Sequence, residues 1–184
     1  MSEASRIIRQ GVTDSLPVFL PAVPFALVLG IAILESGILP LLGWSSSSLI
    51  YGGAAQLTLL TLLGDGAAPG AAVTAALIVN ARHLMYSAAM APTFQQQPTW
   101  FRWIGSYFLI DQVFALTMLR INDDPRHFRT YYLSVGLTFW ALWLLFTAVA
   151  ALVTWLAAAL PHRSGLLLGA LAGVLTGLLL ERRR

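Results

Sequence analysis

Cysteine is absent from this 184-residue chain, and so is lysine. Without cysteine there is no disulfide, no thiolate metal site and no cysteine nucleophile. Without lysine, all eleven basic side chains are arginine. Charge of either sign is scarce: 10% of residues are charged, against about 25% in a water-soluble domain. No polar stretch is long enough to form a separate soluble domain. No Gly-x-x-x-x-Gly-Lys-Ser/Thr loop exists, which argues against a nucleotide-driven pump. No Gly-x-Ser-x-Gly elbow surrounds the run Ser45 to Ser48, and serines at a span entrance are expected to cap a helix. With neither a metal cluster nor a triad, the chain is not expected to be an enzyme, and no catalytic residue, metal or cofactor is assigned. The net charge of +3 does not point to nucleic acid, because the arginines fall at segment ends instead of forming one patch.

What is present is apolar. Hydrophobic residues make up 58% of the chain, and the mean hydropathy is +0.75. The expected fold is all-α: a polytopic integral membrane helical bundle of about six transmembrane segments with broken helices, forming one domain over residues 1–184. Residues 1–14 are read as interfacial, 15–180 as the bundle and 181–184 as a basic tail. The first apolar run, Ser15 to Leu34, matches a span of ~20 residues and is too long for a signal-peptide core, so it is expected to remain as a first helix. Pro17, Pro21 and Pro24 lie within it and should kink it.

The second span is expected near 46–64, after a short re-entrant or surface piece. The run from Gly66 to Phe94 is longer than a ~30 Å core, and a break near Asn80–His83 is expected. Gln95-Gln96-Gln97-Pro98 reads as a loop. The fourth span covers about 103–119 with Asp111 at its middle, and a charged loop follows from Arg120 to Arg129. The Trp-rich stretch 130–160 forms the fifth, and 164–180 the sixth. Trp100, Trp103, Trp140, Trp143 and Trp155 read as interface anchors. Six spans put both termini on one side together with most of the arginines, and the positive-inside rule makes that side cytoplasmic. Gly169, Gly173 and Gly177 recur every four residues on the last span, as on a helix-packing face.

Polar side chains inside apolar runs are costly and usually have a task. Gln56, Asn80, Arg82, His83 and Asp111 are of this kind. Arg82 offers a permanent, bidentate cation for a carboxylate; the alternative is that Arg82 and His83 snorkel to headgroups from a helix end. Asp111 can receive an ammonium, carry a proton, or pair with Arg82 structurally, since a bare charge at mid-helix costs at least ~2.5 kcal/mol. His83 titrates near neutral pH and can relay protons, or it can simply pack. Gln56 can serve a substrate or tie helices together. Gly52 and Gly53 let the backbone bend, or let a helix or ligand approach closely. Tyr86 closes the polar cluster.

Three stretches carry a family resemblance: Gly-Gly-Ala-Ala-Gln at 52–56, Asn80-Ala81-Arg82-His83-Leu84-Met85-Tyr86, and Leu109-Ile110-Asp111-Gln112-Val113-Phe114-Ala115-Leu116. They resemble the AzlC family, the large subunit of two-component bacterial exporters of branched-chain amino acids. The likeness covers about residues 10–145, and Gly165–Glu181 looks like the family's final helix. It implies export of valine, leucine, isoleucine and, by extension, methionine, with a small hydrophobic AzlD-like membrane subunit, in the bacterial inner membrane. Taken with the chemistry of the residues above, the candidates are Arg82, Asn80, Gln56, Gly52, Gly53, Tyr86 and Asp111 for substrate, and Asp111 and His83 for proton coupling. Members carry further transmembrane sequence, with a Leu-Asp-Phe motif, between the Trp-rich helix and the last one, so this chain looks internally shortened. A carrier of another small carboxylate and a non-transporting scaffold stay open as alternatives.

Overall fold

The structure, a computed structural model, describes residues 2–120 and 125–157. Among the described residues there are nine helices and no strand. In chain order they are α1 (Glu3–Phe19), α2 (Ala22–Glu35), α3 (Pro40–Ile50), α4 (Gly53–Gly64), α5 (Pro69–Asn80), α6 (Arg82–Gln95), α7 (Thr99–Tyr107), α8 (Asp111–Met118) and α9 (Phe128–Ala157). Eight of them have 17 residues or fewer, below the ~20 that cross a ~30 Å core. Among the described residues only Phe128–Leu156, within α9, is long and apolar enough by itself, and the α1–α2 pair qualifies only if taken as one broken span.

Each of the first four expected spans is therefore a pair of half-helices, and among the described residues only the fifth is continuous. The expected break near Asn80–His83 is found at Ala81, between α5 and α6. Gln95 ends α6, and Gln96–Pro98 form the loop between α6 and α7, as the composition suggested. Residues 3–14 form the first turns of α1, where the Ser2 hydroxyl accepts from the backbone N–H of Ser5 at 3.2 Å and caps the helix. Two expectations need correction. Ser45 to Ser48 lie inside α3 and do not cap it. The hydroxyls of Ser45, Ser46 and Ser48 donate to carbonyls three residues back at 2.6–2.9 Å, which hides them within their own helix. Asp111 is not at mid-helix: it opens α8, after Ile110 takes an extended conformation (φ −103°, ψ 171°). The final span and its glycines at 169, 173 and 177 lie outside the described residues.

The chain divides into two compact units. One joins the N-terminal stretch through Phe19 to Asn80–Leu142. Here α8 packs against α1 and α6, and α7 packs against α6. Its core is aromatic: Phe94, Phe101, Phe128 and Tyr132 meet with ring centroids 5.3–6.1 Å apart. The buried Tyr132 hydroxyl donates to the Gly105 carbonyl at 2.7 Å, so the ring brings its polar tip inside already satisfied. Gly105 leaves room for this cluster, since a Cβ there would sit 3.0 Å from the Phe94 ring.

The other unit joins Leu20–Val79 to the chain from Trp143 onward. Its helices α2, α3 and α4 pack pairwise around Ala26, Leu29, Ile33, Ala55 and Leu60, all of them buried. The Trp44 indole donates to the Leu144 carbonyl at 3.1 Å. Tyr51 ends α3 in the left-handed region (φ 40°) and Gly52 follows extended, so the chain turns there before α4. Gly53 is where close approach is required: a Cβ would lie 2.8 Å from the Phe25 ring and 2.9 Å from Trp143.

Candidate functional site

Within the first unit, two half-helix starts bring opposite charges together. Arg82 is the first residue of α6 and Asp111 the first of α8. Arg82 Nη1 lies 2.8 Å from Asp111 Oδ2. His83 Nε2 stands 4.0 Å from the other carboxylate oxygen, Oδ1. A carboxylate at a helix start also faces unsatisfied N–H groups and the positive end of the dipole. The break before Asp111 therefore compensates a charge that a continuous span would leave bare.

Tyr86 follows Arg82 by one turn, so both lie on one face of α6. Its ring stacks on Phe114 of α8 at 4.6 Å and meets the His83 ring at 5.8 Å. Phe114 was not singled out by the sequence, because a phenylalanine in an apolar run carries no signal of its own.

The hydrogen bonding here is incomplete. Among the described residues, Asn80 Oδ1, Arg82 Nε, His83 Nε2 and Asp111 Oδ1 are buried atoms without a hydrogen-bond partner. Native proteins leave few such groups, and those left open call for a reason. Two are pure acceptors, one is a pure donor, and the imidazole nitrogen can be either according to its tautomer. The side chains themselves are about a third uncovered, 33% for Arg82 and 36% for Asp111, so the pair is reachable.

Gln56, Gly52 and Gly53 belong to the other unit. Gln56 is fully buried; its Nε2 donates to the Ser46 and Ser47 hydroxyls at 2.8 Å each and lies 3.3 Å from the Gly43 carbonyl. That ties α4 to α3, the helix-joining alternative, while Gln56 Oε1 keeps no partner among the described residues.

A second arginine–aspartate pair escaped sequence reading. Arg120 Nε and Nη2 each lie 3.0 Å from Asp14 Oδ2. The Tyr131 hydroxyl donates to the same oxygen at 2.9 Å, and the guanidinium lies 5.3 Å from the centroid of the Tyr131 ring. A cavity of about 50 Å³ beside it is lined by Gln10, Thr117, Arg120, His127 and Tyr131, with Ile7 and Phe128. Asp14 and Arg120 are 106 positions apart, and no local pattern links charges at that distance.

Comparison with known proteins agrees with the motif likeness. The family model described as AzlC protein matches residues 17–157. The chain is 24% identical over 149 residues to "Inner membrane protein YgaZ" of Escherichia coli (strain K12), covering 80% of this chain and 61% of that protein. It is 26% identical over 148 residues to an "Uncharacterized membrane protein" of Archaeoglobus fulgidus, covering 80% of this chain and 63% of that protein. The chain thus spans less than two thirds of the length of either relative. No solved structure matches it significantly. The matched region contains Asn80, Arg82, His83, Tyr86 and Asp111; Gly165–Glu181 lies beyond it.

Proposed function

The chain belongs to the AzlC family of membrane proteins, related to branched-chain amino acid transport, and we propose that it is a transport subunit exporting such amino acids. Its substrates are valine, leucine, isoleucine and methionine, and it acts with a small hydrophobic AzlD-like membrane subunit. It sits in the bacterial inner membrane as a multi-pass protein with both termini cytoplasmic, and it performs no covalent chemistry.

The observation that carries this reading is the incomplete bonding around Arg82 and Asp111. A zwitterionic aliphatic amino acid needs a cation for its carboxylate, acceptors for its ammonium, and an apolar wall. Arg82 supplies the first with Nε still open. Asp111 Oδ1 and Asn80 Oδ1 are open acceptors, and the stacked Tyr86 and Phe114 rings supply an apolar surface. Broken helices are where transporters hold such ligands. A purely structural ion pair is favoured by the 2.8 Å contact, but it gives no account of the atoms left open around it.

The test is uptake of labelled leucine into inside-out vesicles, with and without the small partner. Leucine accumulation is expected. Accumulation of other carboxylates alone would reassign the substrate, and no transport of either would leave a scaffold. Orientation is checked in intact cells on a chain that has no cysteine of its own: Ser2→Cys should be shielded and Gln96→Cys should react, and labelling of both from outside would overturn the topology.

A further inference from the structure

Resting on the substrate reading above, we infer that the Arg82–Asp111 pair is an internal stand-in for the substrate, so that the site opens to a zwitterion and to neither of its halves. The site itself holds one cation and one anion in contact, Arg82 Nη1 on Asp111 Oδ2 at 2.8 Å. An amino acid can enter by exchange. Its carboxylate takes the guanidinium, including the open Nε, and its ammonium takes the aspartate, including the open Oδ1. One ion pair is exchanged for two, and no charge is left alone.

A carboxylate without an amine fares differently. It can claim Arg82 only by leaving Asp111 unpaired, and an isolated ion in low dielectric is strongly penalised. An amine without a carboxylate strands Arg82 in the same way. The neighbours do not rescue either case. His83 Nε2 is 4.0 Å from Asp111, beyond hydrogen-bond reach, and neither Asn80 nor Tyr86, whose side chain hydrogen-bonds to Asp111, brings a charge. Among the described residues no other ion pair to Arg82 or Asp111 is found. The selectivity thus follows from charge conservation at the site and not from the shape of the side-chain pocket, so the 2-oxo acid and the amine that share leucine's side chain are both excluded.

The test is competition for labelled leucine in membranes containing the chain and its small partner. The competitors are 4-methyl-2-oxopentanoate, 3-methylbutylamine and unlabelled leucine, each in 100-fold excess. Unlabelled leucine should displace nearly all the label, and each half-ligand less than about one tenth of it. Displacement by either half-ligand as complete as by leucine would overturn the inference while leaving leucine transport standing. Absence of leucine binding would remove the substrate reading and this inference with it. A second measurement looks for gain of binding. Asp111→Asn removes the anion that the oxo acid would strand, so the variant should lose labelled leucine and bind labelled 4-methyl-2-oxopentanoate at least tenfold more tightly than wild type. If that variant does not fold, the wild-type competition decides.

Discussion

Two arginine–aspartate pairs lie in the same unit, and burial does not tell them apart. The side chains are 33% and 36% exposed in Arg82–Asp111, and 34% and 27% in Arg120–Asp14. Contact distance does not separate them either, at 2.8 and 3.0 Å. What differs is completeness. The Asp14 oxygen takes two guanidinium nitrogens and a tyrosine hydroxyl, with the Tyr131 ring packed on the cation. Around Arg82, one nitrogen of the guanidinium, one oxygen of the carboxylate, and polar atoms of Asn80 and His83 stay open. A pair that leaves no buried polar atom open joins helices; a pair that leaves several can accept a third party.

The largest effect should come from neutralising each pair in turn. The double variant Arg82→Gln with Asp111→Asn should fold but export about 100-fold more slowly per folded molecule, equivalent to about 2.7 kcal/mol of lost transition-state binding. The matching variant Asp14→Asn with Arg120→Gln should export within about twofold of wild type per folded molecule while melting at lower temperature. Both pairs are part-exposed, so breaking either by a single substitution should cost between the ~1 kcal/mol of a surface pair and the ~3 kcal/mol of a buried one. Near wild-type export by the first double variant would reduce Arg82–Asp111 to a structural contact and erase the distinction.

A smaller effect sharpens what Arg82 does. Arg82→Lys keeps the charge and the pairing with Asp111 but loses the planar fork and its Nε donor. Binding of a carboxylate should weaken, raising KM about tenfold at unchanged protein level, while kcat falls little. Arg120→Lys, facing a carboxylate already shared with Tyr131, should leave KM unchanged. Equal KM for Arg82→Lys and wild type would mean that the substrate carboxylate is held elsewhere.

The contrast between the pairs also marks where sequence reading stops. The Arg82 side was legible because Asn80, Arg82 and His83 interrupt an apolar run, and polar groups in lipid demand a broken helix or a partner. The Gln96–Pro98 loop and the continuous Trp-rich α9 were legible for similar local reasons, in polarity and in length. The break before Asp111 was not. Phe108, Leu109 and Ile110 are apolar, with neither glycine nor proline among them, so nothing local announces that Ile110 turns extended. Asp111 was therefore placed in mid-helix when it opens α8. Arg120 and Asp14 were read as loop and interface charges because their pairing is purely tertiary. The serines of α3 misled for another reason: serine caps helices and also satisfies itself inside them, and composition does not distinguish the two.

The smallest effect concerns the hydroxyl that completes the second pair. Tyr131→Phe deletes the donor 2.9 Å from Asp14 Oδ2 and keeps the ring against the guanidinium. Asp14 still holds two contacts from Arg120, so no charge is stranded and only one hydrogen bond is lost. Net hydrogen-bond contributions are about 0.5–1.5 kcal/mol. The variant should therefore melt slightly below wild type, export leucine at the same rate per folded molecule, and show the same KM. Its value lies in the opposite result. If Tyr131→Phe lowered export several-fold at an unchanged melting temperature, the hydroxyl would be acting on the transport cycle and not on stability. The Asp14–Arg120–Tyr131 cluster would then be a moving part, closing α1 against the start of α9 in one state and releasing it in another. Completeness of bonding would no longer separate a joint from a site, because a contact can be complete in one conformation and open in the next.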